Sequence, residues 1–182
     1  TKYLRTLMDL DILEREIPVT EENPEKSKKG LYKIKDNYIR FWFAFIYPNL
    51  SFLESGNNRI VMDKIKKGFI PNQVSFVYKD VCREKMWEMN AGNAWPFQFS
   101  KIGRYWDSQT EIDIAALDSD GDNLILGECK YWKEPVGINI LHDLERKAQN
   151  VNWKKSTRNT WYILFGANGE NVRIMIAVIF PS

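Results

Sequence analysis

The chain has 182 residues, room for one large domain or two small ones, and its 44% hydrophobic and 27% charged residues are the balance of a soluble globular protein rather than a disordered one. A formal net charge of +2 neither demands nor forbids nucleic-acid binding, which would have to rest on local patches. Two cysteines, Cys82 and Cys129, in apolar settings read as reduced core residues and exclude a disulfide framework; no secretory leader is visible, and the longest apolar run, Phe41 to Tyr47, is too short for a bilayer, so a cytoplasmic protein without membrane contact is expected.

Residues 2–10 place Tyr3, Leu4, Leu7, Met8 and Leu10 at helical spacing. Residues 12–19 read as extended, 21–30 as a charged tip, and Leu31 to Ile34 as an alternating strand. Helix, strand, charged loop, strand is the back half of a winged helix, with the helix as its recognition helix and 21–30 as its wing. Residues 37–48 form an aromatic helix carrying Tyr38, Phe41, Trp42, Phe45 and Tyr47, a stripe suited to packing between subdomains more than to stacking bases. Residues 49–71 are polar, with a turn at Gly56-Asn57-Asn58 and room for a short helix over 58–68, and read as a linker.

Residues 73–90 form the next helix, with Val74, Val77, Val81, Cys82 and Met86 as its buried stripe. Asp80 and Glu84 share the other face, where each reads most simply as a solvated charge beside Arg83 or Lys79. Strands are expected at 95–106, 111–117 and 123–130, an amphipathic helix at 138–151 with Ile140, Leu141, Leu144, Ala148 and Val151 inward, and further strands at 160–165 and 172–179. That order gives an α/β sandwich around a mixed sheet.

The segment from Glu111 to Lys130 carries the chemistry. Asp120-Gly121 between two apolar runs signals a hairpin with a type I′ turn. With those two residues at its centre, Ser119 pairs with Asp122, Asp113 lies opposite Glu128, and Glu111 lies opposite Lys130. By strand alternation these four ionisable side chains share one face, and Ile112, Ile114, Ile125 and Cys129 take the other. Like charges directly opposite destabilise a sheet. A divalent cation between Asp113 and Glu128 would turn the repulsion into coordination, and Mg²⁺, a hard ion that prefers carboxylate oxygen, fits best. Lys130 would then sit where it can orient a water or neutralise charge on a phosphate. The plainer reading is a solvated face with a Glu111–Lys130 ion pair.

Asp113 followed by Glu128-Cys129-Lys130 resembles the PD-(D/E)XK nuclease superfamily. The resemblance implies a restriction-endonuclease-like core in which Asp113 and Glu128 bind Mg²⁺ or Mn²⁺, the Cys129 carbonyl joins them, Lys130 is the catalytic lysine and Glu111 a secondary acid. The runs KYLRTLMDLDILEREIPV, GLYKIKDNYIRFWFAFIYPN and EIDIAALD…LGECKYW also resemble the C-terminal part of archaeal-type P-loop ATPases, which join an ATPase domain to a winged helix and such a nuclease-like domain. No phosphate-binding Gly-x-x-x-x-Gly-Lys-Ser/Thr loop occurs here, so the chain reads as a C-terminal piece or a truncated relative. Relatives carry an acid on the opening helix where this chain has Lys79; Asp80 or Glu84 would have to take its place.

The expected division is a partial winged helix with the aromatic helix at 1–50, a connector at 51–71, and the nuclease-like domain at 72–182. Basic clusters at Lys26, Lys28 and Lys29, at Lys64, Lys66 and Lys67, and at Lys154, Lys155 and Arg158 are candidate phosphate contacts, the first as a wing on a DNA backbone. His142 sits on the exposed side of its helix and has no role assigned. Two functions remain open: a Mg²⁺-dependent DNA nuclease, or a catalytically inactive DNA-binding or regulatory module of a P-loop ATPase. A plain protein-interaction domain is the third.

Overall fold

The computed structural model describes residues 2–131 and 137–167. They fall into two units, residues up to Glu16 with Gly30–Val77, and Ile17–Lys29 with the described residues from Tyr78 on.

In the first unit, helix α1 (Lys2–Asp9) precedes strands β1 (Leu13–Glu16) and β2 (Leu31–Ile34), which pair antiparallel with Leu13 facing Ile34 and Glu16 facing Leu31. The cross-strand pair Glu14–Lys33 is an ion pair at 2.9 Å. The expected order of helix, strand, loop and strand is present, but the loop residues 17–29 belong to the other unit. Asp36 then caps helix α2 (Asn37–Phe41), its carboxylate accepting from the Ile39 N–H at 2.8 Å. The aromatic helix expected over 37–48 is not a regular α-helix. It widens to a π-turn over Trp42–Ile46 and tightens to a 3₁₀ turn over Tyr47–Asn49, because Pro48 has no N–H to continue the ladder. Phe45 is buried, with the Phe41 ring 5.2 Å away, and Tyr38, Phe43 and Tyr47 stay exposed.

The segment expected as a linker is helical and packed. Helix α3 (Leu50–Glu54) and helix α4 (Asn58–Phe69) follow one another, Val61 is buried, and Lys64 donates to the Asn49 side chain at 2.5 Å. The short helix expected over 58–68 is present as α4, with Val61 as its buried residue.

The second unit is a mixed four-stranded sheet between two helices. Helix α5 (Ser75–Ala91), from Tyr78 on, packs on one face, and helix α6 (Ile138–Ala148) on the other. The strands are β3 (Lys101–Trp106), β4 (Glu111–Asp118), β5 (Asn123–Tyr131) and β6 (Asn159–Ala167), in that spatial order. The first three are antiparallel; β6 runs parallel to β5 after the α6 crossover. Buried on both faces, β5 is a continuous apolar run from Leu124 to Leu126. Gly127 follows because a Cβ there would lie 2.8 Å from Ile163 Cγ2.

The buried stripe of α5 is Tyr78, Cys82, Met86 and Asn90, not the valines, and Val81 is exposed. Asn90 is buried for a reason: its amide donates to the Phe99 carbonyl and accepts from the Phe99 N–H, both at 3.0 Å. That clamp, with Pro96, keeps residues 95–99 out of the sheet, so β3 starts at Lys101 rather than 95. The strand expected over 172–179 lies outside the described residues.

Candidate functional site

The β4–β5 hairpin has the expected register, with Ile114 facing Gly127 and Asp118 facing Asn123. Its turn differs. Four residues, Ser119 to Asp122, close it, and the left-handed residue is Asp122 at φ 57° instead of Gly121. The Asp118 carboxylate accepts from the Gly121 N–H at 3.0 Å and from the Asn123 amide at 2.7 Å, which fixes this longer loop, and a Cβ at Gly121 would strike that carboxylate. Two residues added symmetrically leave the pairing unchanged.

The face-sharing of the site residues is altered by a bulge. Gly103 faces Ala115, but Tyr105 faces Ile112, so β4 has one residue more than β3 over this stretch. As a result Ile112 joins the core on the α6 side with Ala115 and Leu117, while Ile114 joins the core on the α5 side with Ala116. The two isoleucines expected on one face are on opposite faces. The β4–β5 pairing ends at Ile114, and Glu111, expected across from Lys130, turns to β3 and pairs with Arg104 at 2.6 Å.

Asp113 sits at the bulge and is buried, 5% exposed, as is Glu128 at 4%. Every oxygen of the two carboxylates has a donor. Asp113 Oδ1 pairs with Lys79 Nζ at 2.6 Å, and Oδ2 accepts from the Cys129 N–H at 3.1 Å. Glu128 Oε1 accepts from Lys147 Nζ at 2.7 Å and Oε2 from Lys130 Nζ at 2.9 Å. Lys79 reaches in from α5 and Lys147 from α6, so the two acids are drawn toward opposite layers instead of converging. Burial pulls the Lys130 amine down, but its hydrogen bond to Glu128 and the charges of Glu128 and Asp113 outweigh it and hold the amine above its ordinary value.

These residues do not fit a Mg²⁺ ion as they stand. The four oxygens that would ligate it are bound to N–H groups, and three ammonium charges already exceed the two carboxylate charges. Among the described residues no three His, Cys, Asp or Glu side chains are grouped to hold a metal. Cys129 gives its N–H to Asp113 and its thiol to the core beside Cys82; that neighbour and burial push the thiol up, and both cysteines are free.

The basic clusters are partly consumed. Lys29 pairs with Glu21 at 2.5 Å, and its carbonyl accepts from the Trp106 indole N–H at 3.2 Å. The Val19 N–H donates to the Arg104 carbonyl at 2.9 Å, so residues 17–29 lie along β3. Lys26 and Lys28 stay exposed. Between this segment and the end of β3 is an open polar cavity of about 420 Å³, lined by Lys26, Lys29, Glu21, Glu22, Trp106 and Asn152 among others. Lys154 is tied to Ser119 and Asp122 of the hairpin loop. Arg158 is not a surface charge at all: it donates to the carbonyls of Ala148, Val151 and Trp153 at 2.6–2.8 Å and caps the C-terminal end of α6. Lys155 remains exposed, and so does His142, as expected. Asp80 pairs with Arg83 and Glu84 is exposed, so neither takes the place of the helix acid. The amphipathic pattern of 138–151 puts Arg146 and Lys147 on the outward side; Lys147 instead lies at the half-buried edge of α6 and turns in to Glu128, a partner the helix pattern does not signal.

The sequence model of the DUF234 family, described as archaeal and bacterial proteins of unknown function, matches residues 42–159. The chain belongs to that family. It is 41% identical over 155 residues to an uncharacterized protein of the archaeon Methanocaldococcus jannaschii, an alignment covering 83% of this chain. The chain spans only 34% of that relative's length. The matched DUF234 region contains all of α4, α5, α6 and the hairpin, and hence all five charged groups of the buried centre. No solved structure matches the chain. Among the described residues no helix is long and apolar enough to cross a membrane.

Proposed function

We propose that this chain is a non-hydrolytic module of a longer protein, built on a core of PD-(D/E)XK type and binding DNA beside a P-loop ATPase domain. The observation that carries the reading is the engagement of all four oxygens of Asp113 and Glu128 by Lys79, Lys130, Lys147 and one backbone N–H. A hydrolytic Mg²⁺ site needs those oxygens open to the ion and a water. Here they form a closed ionic core that holds the hairpin to α5 and α6. The order of helix, mixed sheet and crossover helix supports the nuclease-like ancestry, and the short share of the relative's length supports a module within a larger chain. The ATPase partner comes from the sequence resemblance.

DNA contact falls to Lys26, exposed where it lines the polar cavity together with Trp106, and to the exposed Lys28 two residues on. The test is fluorescence anisotropy of a labelled duplex against salt, with gel analysis of the same DNA in Mg²⁺ and Mn²⁺. Binding should weaken steeply with salt, drop on joint replacement of Lys26 and Lys28 by Ala, and be unchanged in Lys130→Ala, with the duplex left intact. Metal-dependent cleavage lost in Asp113→Ala would restore the nuclease reading. Absence of DNA binding would leave a regulatory contact with the ATPase domain.

A further inference from the structure

An acid buried in a sheet loses its water, and only hydrogen bonds and cations close by offset that cost. In this hairpin the cations are ammonium groups. Glu128 has two of them, Lys130 and Lys147. Asp113 has Lys79 at 2.6 Å and otherwise one backbone N–H. Lys79 is therefore the ion pair on which Asp113 depends, and it comes from the α5 layer while Glu128 is drawn toward α6.

We infer that the Lys79 ammonium does the work of a divalent cation in this centre, so that the protein is metal-independent by construction and carries a latent divalent-cation site that a single substitution uncovers. A lysine is a compact point charge held covalently at the position where it is needed, so it requires no free ion and costs no binding equilibrium. With Lys79 gone, Asp113 loses the ammonium it pairs with directly and keeps only the more remote charge of Lys130, and a hard divalent ion is the replacement its oxygens accept. The inference rests on the non-hydrolytic reading above.

The experiment is Mn²⁺ titration of the whole 182-residue chain and of Lys79→Glu and Lys79→Met, read by the electron paramagnetic resonance signal of free Mn²⁺ and by thermal unfolding. The unchanged protein should leave millimolar Mn²⁺ free, and its Tm should move by less than about 1 °C. Lys79→Glu should bind Mn²⁺ at least about tenfold more tightly and gain about 5 °C or more from it, with the same ion removed by chelator returning it to the lower Tm. Where Lys79→Glu does not fold without metal, it is refolded in Mn²⁺ and the ion counted. Lys79→Met should lose Tm in chelator, and adding Asp113→Asn should recover most of that loss, since no buried charge is then left unpaired.

Tight Mn²⁺ binding by the unchanged protein would overturn both this inference and the non-hydrolytic reading. Weak Mn²⁺ binding by folded Lys79→Glu, or no recovery in Lys79→Met with Asp113→Asn, would overturn this inference alone. Duplex binding by the unchanged protein, measured separately, bears only on the proposed function.

Discussion

Replacing Lys147 by Met keeps the length and apolar stem of the side chain and removes the charge 2.7 Å from Glu128 Oε1. Glu128 is almost wholly buried, so water does not refill the gap, but Lys130 remains at 2.9 Å from the other oxygen. Stripping a buried ion of all its partners costs about 3–5 kcal/mol, and one hydrogen bond to a charged group is worth about 1.5–3 kcal/mol. With one of two ammonium partners kept, the lower range applies, and Lys147→Met should cost about 2 kcal/mol. For a chain of this size that is a fall in Tm of about 4–8 °C. The Lys147 side chain is 25% exposed, which argues against a larger figure. Urea unfolding followed by tryptophan fluorescence measures it, with Glu128→Gln and the double variant completing the cycle. The carboxamide has no charge to compensate, so the double variant should lose less than the sum of the singles by about 1 kcal/mol or more. A cost below about 0.5 kcal/mol for Lys147→Met, or strictly additive losses, would refute the view that Glu128 is held by ammonium groups.

Arg158→Ala removes three bonds to carbonyls at the end of α6 and should cost about 3 kcal/mol, measured by the same unfolding assay; Arg158→Lys, a point charge without the planar fork, should recover less than half of it. In alkali, burial and the hydrogen bond to Asp107 push the Tyr105 hydroxyl up to about 12. A folded value above the unfolded one of about 10 means that its contribution is complete below pH 10 and is lost as pH rises through about 12. Lys130, also held above its ordinary value, loses its contribution in the same direction. Stability should therefore decline above pH 10, and Tyr105→Phe should flatten that decline, with tyrosinate absorbance as the check.

The hairpin register was legible because it depends on local signals: a turn of Asp and Gly, flanked by runs whose alternation permits one pairing. The bulge was not. Ile112-Asp113-Ile114 looks like regular alternation, and the extra residue shows only against β3, where Gly103 and Tyr105 set the spacing. Cys82 and Met86 were legible in the α5 stripe, but Val74, Val77 and Val81 were preferred to Tyr78 and Asn90 because valines are more apolar, whereas the sheet below rewards a row four residues apart and an Asn able to satisfy the Phe99 backbone. Lys79 was visible as a departure from the resemblance but not as the partner of Asp113, which lies two strands further along the chain. Lys147 reads as an outward charge of its helix and Arg158 as a candidate phosphate contact. Their partners, a buried carboxylate 19 residues earlier and three carbonyls at a helix end, follow from tertiary placement and not from neighbours in sequence. The basic run at 154–158 thus serves the fold, and composition alone does not separate such charges from a binding surface.

Strands β1 and β2 belong to one unit while the thirteen residues joining them, Ile17 to Lys29, belong to the other. The polypeptide therefore changes unit at 16/17, at 29/30 and again at 77/78. A protease nick at any one of these places leaves the two units joined through another crossing, and a gene cut at 77/78 keeps every residue of the first unit but strips Ile17–Lys29 from the second. Recombination that moves the second unit whole must carry Gly30–Val77 with it.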